Sequence, residues 1–343
     1  MIKNDLNSNQ FKSLNTAVLL LTFNRLDTTK EVFQSIRKAK IPRLYIWSDG
    51  PRSEVNQEDV KVREVRNYLI SNIDWPCEVK TRFNEVNLGI KKGISSSIDW
   101  FFENEEMGII LEDDCLPSQS FFWYCEEVLE RFKNDHRVMQ IAGMTYVEKP
   151  NNALDYSYHF CKVGGIWGWA SWRRAWELYE NEMESFSKAK EENLFDNLFI
   201  DQNERKKYML DLFERHYGTS GTWDFQWSYT KIVNNSINIM PSKNLIVNIG
   251  HGHDQATNTN SGNNRYSNMK LKELSFPLKH PKFVAIDVSF DYLNYKYVTY
   301  RNWKHSIYYY IDSKFPKWIS LSLIHISEPT RLLSISYAVF CLK

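Results

Sequence analysis

Apolar and polar stretches alternate along the first half of the chain in a way that predicts strands and helices in turn. Two short, continuous apolar runs, AVLLLT at 17–22 and LYIW at 44–47, are typical of strands that are buried on both faces of a sheet. Residues 27–39, which lie between these runs, carry apolar side chains at helical spacing. Such alternation predicts β-α-β units, and hence a mostly parallel sheet with helices on both faces.

The same pattern continues to about residue 142 and then becomes less regular and richer in tryptophan. In the regular part it predicts further helices at 57–71, 92–103 and 118–132, and further strands at 77–83, 107–111 and 138–142. In the later part it predicts helices at 170–179 and from 225 onward, and a strand at 245–249.

We expect one large α/β domain, because strands and helices alternate without an evident break. Its parts are a flexible N-terminus at 1–15, a first half at 16–150, a second half at 151–260 and a C-terminal extension at 261–320. Residues 321–343 resemble translated sequencing adapters separated by a barcode. We therefore treat this tail as foreign and leave the native C-terminus undefined.

Charge balance, aromatic content and cysteine spacing limit the classes of protein to which the chain can belong. Without the tail the acidic and basic side chains are equal in number, so the chain lacks the basic excess of a nucleic-acid-binding protein. Aromatic residues make up 15% of the chain, which suits a sugar-facing cleft and equally an ordinary core. No cysteine pair has CxxC spacing and no apolar stretch precedes Ala17, so we expect reduced thiols, no signal peptide and a cytoplasmic protein.

The strongest chemical signal is the segment GIILEDDCLP at 108–117, where an apolar strand runs into Glu112, Asp113 and Asp114. Ligands gather at the carboxyl ends of strands in open α/β sheets, and carboxylate oxygens are the ligands that Mg²⁺ and Mn²⁺ prefer. The run therefore predicts a metal site at the sheet edge. A solvated turn is the alternative interpretation.

Five segments follow one another along the chain in this order: AVLLLTFNR, WSDGP, NLGI, GIILEDDCLP and GIWGWASWRRAW. With these segments the chain resembles the GT-A glycosyltransferases over residues 16–255. It is most similar to bacterial members of the nucleotide-diphospho-sugar transferase superfamily, and it also resembles β-1,2-N-acetylglucosaminyltransferases that act on mannosides. The resemblance implies a Rossmann-like GT-A domain whose first half binds a nucleotide sugar and whose second half binds the acceptor.

The resemblance implies a role for each acid of the run. Asp114 would bind a Mn²⁺ or Mg²⁺ ion that bridges the diphosphate of the donor. Asp113 would lie near the ribose or the donor sugar, and Glu112 near the base of the site. Either of these two residues would alternatively orient Asp114 without touching the donor.

A late histidine often completes the metal shell in this fold. His251 and His253 follow the predicted strand at 245–249 and would point to one side of an extended segment, which makes them our candidate ligands. Related sequences place the histidine a little further on, where this chain has Asn258. The third metal ligand therefore stays open.

The loops after the first two strands resemble nucleotide-contacting loops of the family. Thr22, Asn24 and Arg25 follow the first strand, and Arg25 would pair with a phosphate. The alternative is an arginine in solvent at the start of a helix. Asp49, at the end of the second strand, would hydrogen-bond the base or ribose, whereas its Gly-Pro sequel alone predicts only a turn.

A third loop, NLGI, precedes the helix predicted at 92–103. Asn87 and Gly89 would present backbone N–H groups to the donor, together with Lys91 or Lys92, of which we favour Lys92.

The glycine- and tryptophan-rich segment at 164–169 predicts an acceptor wall. Gly165 would let the backbone approach a ligand, and the indoles of Trp167 and Trp169 would offer flat faces to a sugar ring. Trp172 and Trp176, four residues apart in the predicted helix at 170–179, are expected on its core face.

Asp224 follows a glycine-containing turn and opens an apolar helix, a position that resembles the general base of inverting members of the family. An inverting transfer needs one carboxylate to take the acceptor proton. The alternative is a residue that only caps the helix.

The sequence thus predicts a metal-dependent, inverting glycosyltransferase that moves a sugar, UDP-linked by preference, to a glycan or lipid-linked acceptor in surface polysaccharide biosynthesis. The alternatives are a glycan-binding module and a nucleotidyltransferase, although TFNRLD lacks the glycines of a phosphate loop. Tyrosine, tryptophan and lysine are frequent at 285–320, which suits either peripheral contact with an anionic membrane or a lid. The oligomeric state is not predicted.

Overall fold

The structure, a computed structural model, describes residues 13–147, 155–199, 203–219, 221–250 and 269–299. His251, His253 and the tail at 321–343 lie outside the described residues, as does nearly all of the segment at 1–15. No helix within the described ranges has the length and apolar character needed to cross a bilayer.

All strands and helices predicted between residues 17 and 142 are present, with ends that differ by at most two residues. The strands are β1 (Ala17–Thr22), β2 (Arg43–Ser48), β3 (Glu78–Phe83), β4 (Met107–Glu112), β5 (Cys115–Pro117), β6 (Val138–Ala142), β7 (Tyr158–Cys161), β8 (Trp169–Trp172), β9 (Ile237–Pro241) and β10 (Ile246–Asn248). The helices are α1 (Leu26–Ala39), α2 (Glu58–Ser71), α3 (Ile90–Asn104), α4 (Gln119–Arg131), α5 (Arg173–Trp176), α6 (Phe186–Glu191), α7 (Leu194–Leu198), α8 (Asn203–His216), α9 (Asp224–Val233) and α10 (Val288–Thr299).

Eight strands form the central sheet in the order β3-β2-β1-β4-β8-β6-β9-β7. β1 pairs in parallel with β2 and β4, β2 with β3, and β6 with β9. β8 and β7 run antiparallel to their neighbours. Six of the eight strands therefore run in the same direction, which confirms the predicted α/β class with a mostly parallel sheet.

The composition of β1 explains why helices cover both faces. Val18 and Leu20 belong to one core cluster, which α1, α2 and α4 cover, whereas Leu19 and Leu21 belong to a second, which α3, α5 and α9 cover. Successive side chains of a strand point to opposite faces. An apolar run without alternation therefore needs helices on both sides.

The helix predicted at 170–179 is wrong in its first part. Trp169–Trp172 is the strand β8, which inserts between β4 and β6 and pairs with Met107–Ile110 of β4. The helix α5 covers only Arg173–Trp176. The segment forms a strand because all four residues of β8 are buried and pair with β4, and Trp169 and Ala170 also pair with β6.

The carboxyl ends of β1, β2 and β4 meet at one edge of the sheet. Thr22 lies beside Ser48, and Leu21 beside Glu112, so the segments that follow these strands are neighbours. A two-stranded sheet of β10 and β5 lies next to this edge. There the backbone N–H of Ile249 donates to the carbonyl of Asp114 at 2.8 Å.

Candidate active site

The sheet edge opens into a cleft of about 470 Å³ that residues from both halves of the chain line. Most of the residues that the sequence singles out line it: Thr22, Asn24, Arg25, Asp49, Asn87, Gly89, Glu112, Asp113, Asp114, Trp167 and Asp224. The cleft also contains residues that the sequence does not single out: Leu21, Phe23, Trp47, Arg52, Ile90, Ile94, Ile166, Gly221, Thr222 and Trp223.

Arg25 meets the acidic run on one wall of the cleft. One nitrogen of its guanidinium pairs with Asp113, and Nη1 lies 2.8 Å from Oδ2 of Asp114. Asp113 also accepts the backbone N–H of Phe23 at 3.3 Å. Only 15% of the Arg25 side chain is exposed, against 4% and 9% for the two aspartates. This burial contradicts both the solvated turn and the solvent-exposed arginine that were the alternatives.

Crowding shifts the pKa values of these groups. Burial, followed by repulsion from Asp114 and Asp113, raises the pKa of Glu112 to about 8. Burial raises the pKa of Asp113 to about 6, although Arg25 opposes it. Burial lowers the pKa of Arg25, but the two aspartates outweigh it and raise that pKa above its ordinary value. Glu112 is therefore largely protonated at neutral pH, while Arg25 stays charged.

The carboxylates of Asp113 and Asp114 are chemically suited to Mg²⁺ or Mn²⁺, but Arg25 already uses their oxygens. Within the described ranges no group of three or more His, Cys, Asp or Glu side chains is arranged to hold an ion. The acid pair therefore fits an ion only if Arg25 moves away. The ligand roles of Asp114, His251 and His253 stay predictions, the two histidines being outside the described residues.

Asp224 also lines the cleft, as the first residue of α9, with Trp223 at the position before the helix. It is thus inside the helix and is not the capping residue of the alternative interpretation. Burial raises the pKa of its carboxyl group, against hydrogen bonds from the backbone amides of Asp224 and Phe225. A carboxylate with a raised pKa accepts a proton more readily, which suits a general base.

A buried polar network supports α9 from behind. Lys231, only 2% exposed, donates from Nζ to Oε1 of Gln140 at 2.5 Å, and Nε1 of Trp227 donates to the same oxygen at 2.8 Å. Nε2 of Gln140 donates to the carbonyl of Gly165 at 2.6 Å. Burial lowers the pKa of Lys231 to about 7, and Asp224 opposes this shift. The network ties the helix of Asp224 to β6 and to the glycine loop.

Asp49 shapes the cleft by holding the loop that follows β3. Its Oδ1 accepts the backbone N–H groups of Gly50 at 2.9 Å and Leu88 at 3.0 Å, and the amide of Asn84 at 3.3 Å. Nδ2 of Asn87 donates to the carbonyl of Gly50 at 2.9 Å. Asp49 and Asn87 therefore have structural partners within the protein, and their predicted contacts with a nucleotide stay predictions.

Helix α3 begins at Ile90, two residues earlier than predicted, directly after Gly89. Gly89 has a φ of 75°, a conformation that favours glycine. The register turns Lys92 into solvent, outside the cleft, which corrects its prediction as a donor contact. Lys91 is buried instead, and its Nζ donates to Oε2 of Glu182 at 2.8 Å.

Arg52 is a cleft residue that the sequence analysis missed. Its guanidinium pairs with Glu58, which is 1% exposed, and lies 5.6 Å from the ring centre of Phe23. The same carboxylate accepts Nδ2 of Asn24 at 2.8 Å. Glu58 therefore joins the loops after β1 and β2. The only signal in the sequence was a basic residue directly after the WSDGP turn.

The predicted acceptor wall is only partly correct. Trp167 lines the cleft, but Trp169 is 1% exposed and belongs to the core, where its ring stacks on Trp223 at 5.8 Å. Gly168, with a φ of 54°, forms the turn between the two tryptophans. Gly165 does not line the cleft, because it packs against Met144. Trp169 and Gly165 therefore act as support and offer no surface to a ligand.

No family model matches the chain, and no curated protein matches it in sequence. Several solved structures are similar to it at low identity. The glycosyltransferase GlyE of Streptococcus pneumoniae TIGR4 is 11% identical over 66% of this chain and 45% of its own, with a TM-score of 0.29. HddC of Yersinia pseudotuberculosis is 10% identical over 47% of this chain and 78% of its own, with a TM-score of 0.29. The 4-diphosphocytidyl-2C-methyl-D-erythritolsynthase of Anaerococcus prevotii DSM 20548 is 8% identical over 50% of this chain and 78% of its own, with a TM-score of 0.30. Likeness at this level carries no argument about function, which has to come from the site.

Proposed function

We propose that the protein is an inverting glycosyltransferase that transfers a sugar from a nucleotide diphosphate sugar, UDP-linked by preference, to a glycan or lipid-linked acceptor. One observation carries the proposal: a single cleft at the carboxyl edge of the sheet is lined by two groups of residues, here called its walls, which are the acidic run with Arg25 and Asp224 with Trp167. Such an edge is where α/β proteins bind nucleotide ligands.

The chemistry follows from the two walls. The acceptor hydroxyl gives its proton to the carboxylate of Asp224 while its oxygen attacks the anomeric carbon of the donor sugar. The bond from that carbon to the diphosphate breaks, and the nucleoside diphosphate leaves. Because the acceptor attacks directly, one base suffices and the anomeric configuration inverts.

The wall of Arg25 suits the leaving diphosphate. The N-terminus of α3 borders the cleft at Gly89 and Ile90, and helix N-termini favour anions. A Mn²⁺ or Mg²⁺ ion with Asp114 as ligand belongs to the proposal, and when bound it would neutralise charge on the departing group. The protonated Glu112 would be a hydrogen-bond donor to a donor hydroxyl or phosphate oxygen.

Two other functions explain fewer of these features. A glycan-binding module would use Trp167 but needs neither a half-buried Asp224 nor an acidic run. A nucleotidyltransferase is disfavoured because the segment Phe23–Arg25 between β1 and α1 contains no glycine.

A role in surface polysaccharide biosynthesis, in the cytoplasm or at the inner face of the membrane, completes the proposal. It predicts that the chain without its foreign tail floats with anionic liposomes and stays at the bottom of the gradient with neutral ones. If the protein floats equally with anionic and neutral liposomes, or with neither, the proposed contact with an anionic membrane is wrong.

A thermal-shift panel of UDP, GDP, CMP and dTDP sugars, each with and without Mn²⁺, tests the donor class. A ligand that binds the native state raises the unfolding temperature. We expect the UDP sugars with Mn²⁺ to give the largest rise. If no nucleotide sugar shifts the transition, the proposal is wrong.

A further inference from the structure

Arg25 and a divalent ion would need the same oxygens. The guanidinium bridges Asp113 and Asp114, with Nη1 at 2.8 Å from Oδ2 of Asp114. Gly250 closes one side of this pair: a Cβ at position 250 would lie 2.5 Å from that Oδ2 and 2.8 Å from Nη1. There is therefore no free volume beside this oxygen on the side of Gly250, and the side that faces Nη1 opens to an ion only after the guanidinium leaves.

Within the described residues, the charge of Arg25 pairs with Asp113 and Asp114, and its backbone anchors it to α1. Its carbonyl accepts the N–H of Thr29 at 3.2 Å in the first turn of α1, and the side chain borders the cleft. A rotation of the side chain alone would thus move the guanidinium from the acid pair into the cleft. Such a rotation leaves α1 and β1 in place.

Moving the guanidinium of Arg25 away from the acid pair is unfavourable unless the guanidinium finds another anion and the two carboxylates find another cation. The two aspartates are nearly fully buried, and a buried charge without a partner is strongly unfavourable. A diphosphate in the cleft would give the guanidinium a bidentate anionic partner. A divalent ion would at the same time neutralise the uncovered carboxylates.

We propose that Arg25 is an internal cation that competes with the divalent ion for Asp113 and Asp114, so that the ion binds tightly only when a nucleotide diphosphate draws Arg25 away. This inference rests on the proposed function, because it assumes a diphosphate ligand. It makes ion binding conditional on the nucleotide, and by linkage each ligand raises the affinity of the other by the same factor.

Binding of Mn²⁺ to the full chain, measured by electron paramagnetic resonance with UDP as the nucleotide probe, tests the proposal. The Mn²⁺–UDP complex that forms without protein is measured in parallel and subtracted. For the wild type we expect UDP to tighten Mn²⁺ binding about tenfold or more, within the usual range of coupled sites. For Arg25→Met we expect Mn²⁺ alone to bind about tenfold more tightly than to the wild type, with little further effect of UDP.

Arg52→Met is the matched control. It removes the same charge from the same cleft, but Arg52 pairs with Glu58 and not with the acid pair. We expect its affinity for Mn²⁺ alone to stay within about twofold of the wild type, since a charge that pairs with Glu58 in a solvated cleft is largely screened from the acid pair. If Arg25→Met binds Mn²⁺ alone no more tightly than Arg52→Met, the competition does not exist and the inference is wrong.

The two proposals fail in different ways. If Arg25→Met gains affinity for Mn²⁺ but UDP has no effect on any variant, Arg25 still competes with the ion while the nucleotide-sugar function falls. Should Arg25→Met not fold, Arg25→Lys replaces it, because an ammonium group keeps the charge but lacks the fork that bridges two carboxylates. An affinity of Arg25→Lys for Mn²⁺ alone equal to that of the wild type would then overturn the inference.

Discussion

The two acidic walls of the cleft hold their carboxylates in different ways. Asp113 and Asp114 share one guanidinium, so a positive charge of the protein already pairs with both carboxylates before any ligand arrives. Asp224 stands at the start of α9, where backbone amides are its neighbours and burial raises its pKa. Residues of one type thus receive opposite environments within one cleft.

The difference separates binding from proton transfer. Two carboxylates that share a guanidinium suit a site where cations and phosphates exchange partners. A desolvated carboxyl without such a partner binds a proton more readily than usual, which a base requires. The comparison predicts that substitutions on the two walls affect different measurements.

The largest effect is expected for Asp224→Asn, which removes the base while keeping the shape of the residue. Transfer should fall by about 10²- to 10⁴-fold, whereas the affinity for UDP, measured by calorimetry, should stay within about twofold, because the proposed base acts on the acceptor hydroxyl and not on the nucleotide. Asp99→Asn is the control, since Asp99 accepts Nε1 of Trp176 at 2.7 Å but does not line the cleft. Full turnover of Asp224→Asn would remove the distinction between the walls.

The support behind Asp224 is tested by the pair Trp169→Ala and Trp167→Ala. Removing the buried indole of Trp169 should lower the free energy of unfolding by about 3–5 kcal/mol. Removing Trp167 should cost about 1 kcal/mol, as is usual for a partly exposed site, and should weaken binding of the acceptor instead. Urea unfolding measures both, and equal losses would contradict the division into support and surface.

Asp114→Asn should act on binding and leave the base untouched. It removes one anionic partner from Arg25 and one hard ligand from the metal site, so the affinity for UDP in the presence of Mn²⁺ should fall about tenfold, or about 1.4 kcal/mol. Calorimetry with and without Mn²⁺ checks this. A variant that keeps its affinity for UDP but loses transfer would give the acid pair a role in the chemical step, like Asp224, and not in binding.

The last prediction concerns Lys231 and the pH dependence of stability. Its pKa falls from an ordinary 10.5 to about 7 on burial, so between these pH values the unfolded chain binds more protons than the folded one. Stability therefore rises with pH across this window, by at most about 1.4 kcal/mol per unit. Asp224 is the charged group that acts on Lys231, and Gln140 and Trp227 are its neutral contacts.

Lys231→Met should remove this slope between pH 7 and 9, as seen in urea unfolding at each pH. Lys61→Met, on the exposed side of α2, serves as the control. An unchanged slope in Lys231→Met would show that Lys231 is not the group responsible.

The first half of the fold was predictable from sequence because its strands are continuous apolar runs and its helices have clear periodicity. The strand Trp169–Trp172 was not, because the sequence WASWRRAW fits a helix, and only pairing with Met107–Ile110 and β6 makes it a strand. Pairing with strands that lie 27 to 65 residues away in the sequence leaves no local signal.

The cleft was predictable to a similar degree. Residues at strand ends, such as Asn24 and Asp114, are placed by the topology itself. The partners of their charges were not predictable, because the contact of Arg25 with the acid pair spans 88 residues of chain and depends on side-chain rotamers. Arg52 was missed for the same reason, since Glu58 holds it there.

Trp223 both borders the cleft and stacks on Trp169, beside Trp176 and Trp227. The chain thus has an intrinsic fluorophore directly before Asp224, in contact with a buried cluster of indole rings. Its emission will change in wavelength or yield when a sugar or nucleotide displaces water from this wall. Occupancy can therefore be followed by light, without a label and before any product is known.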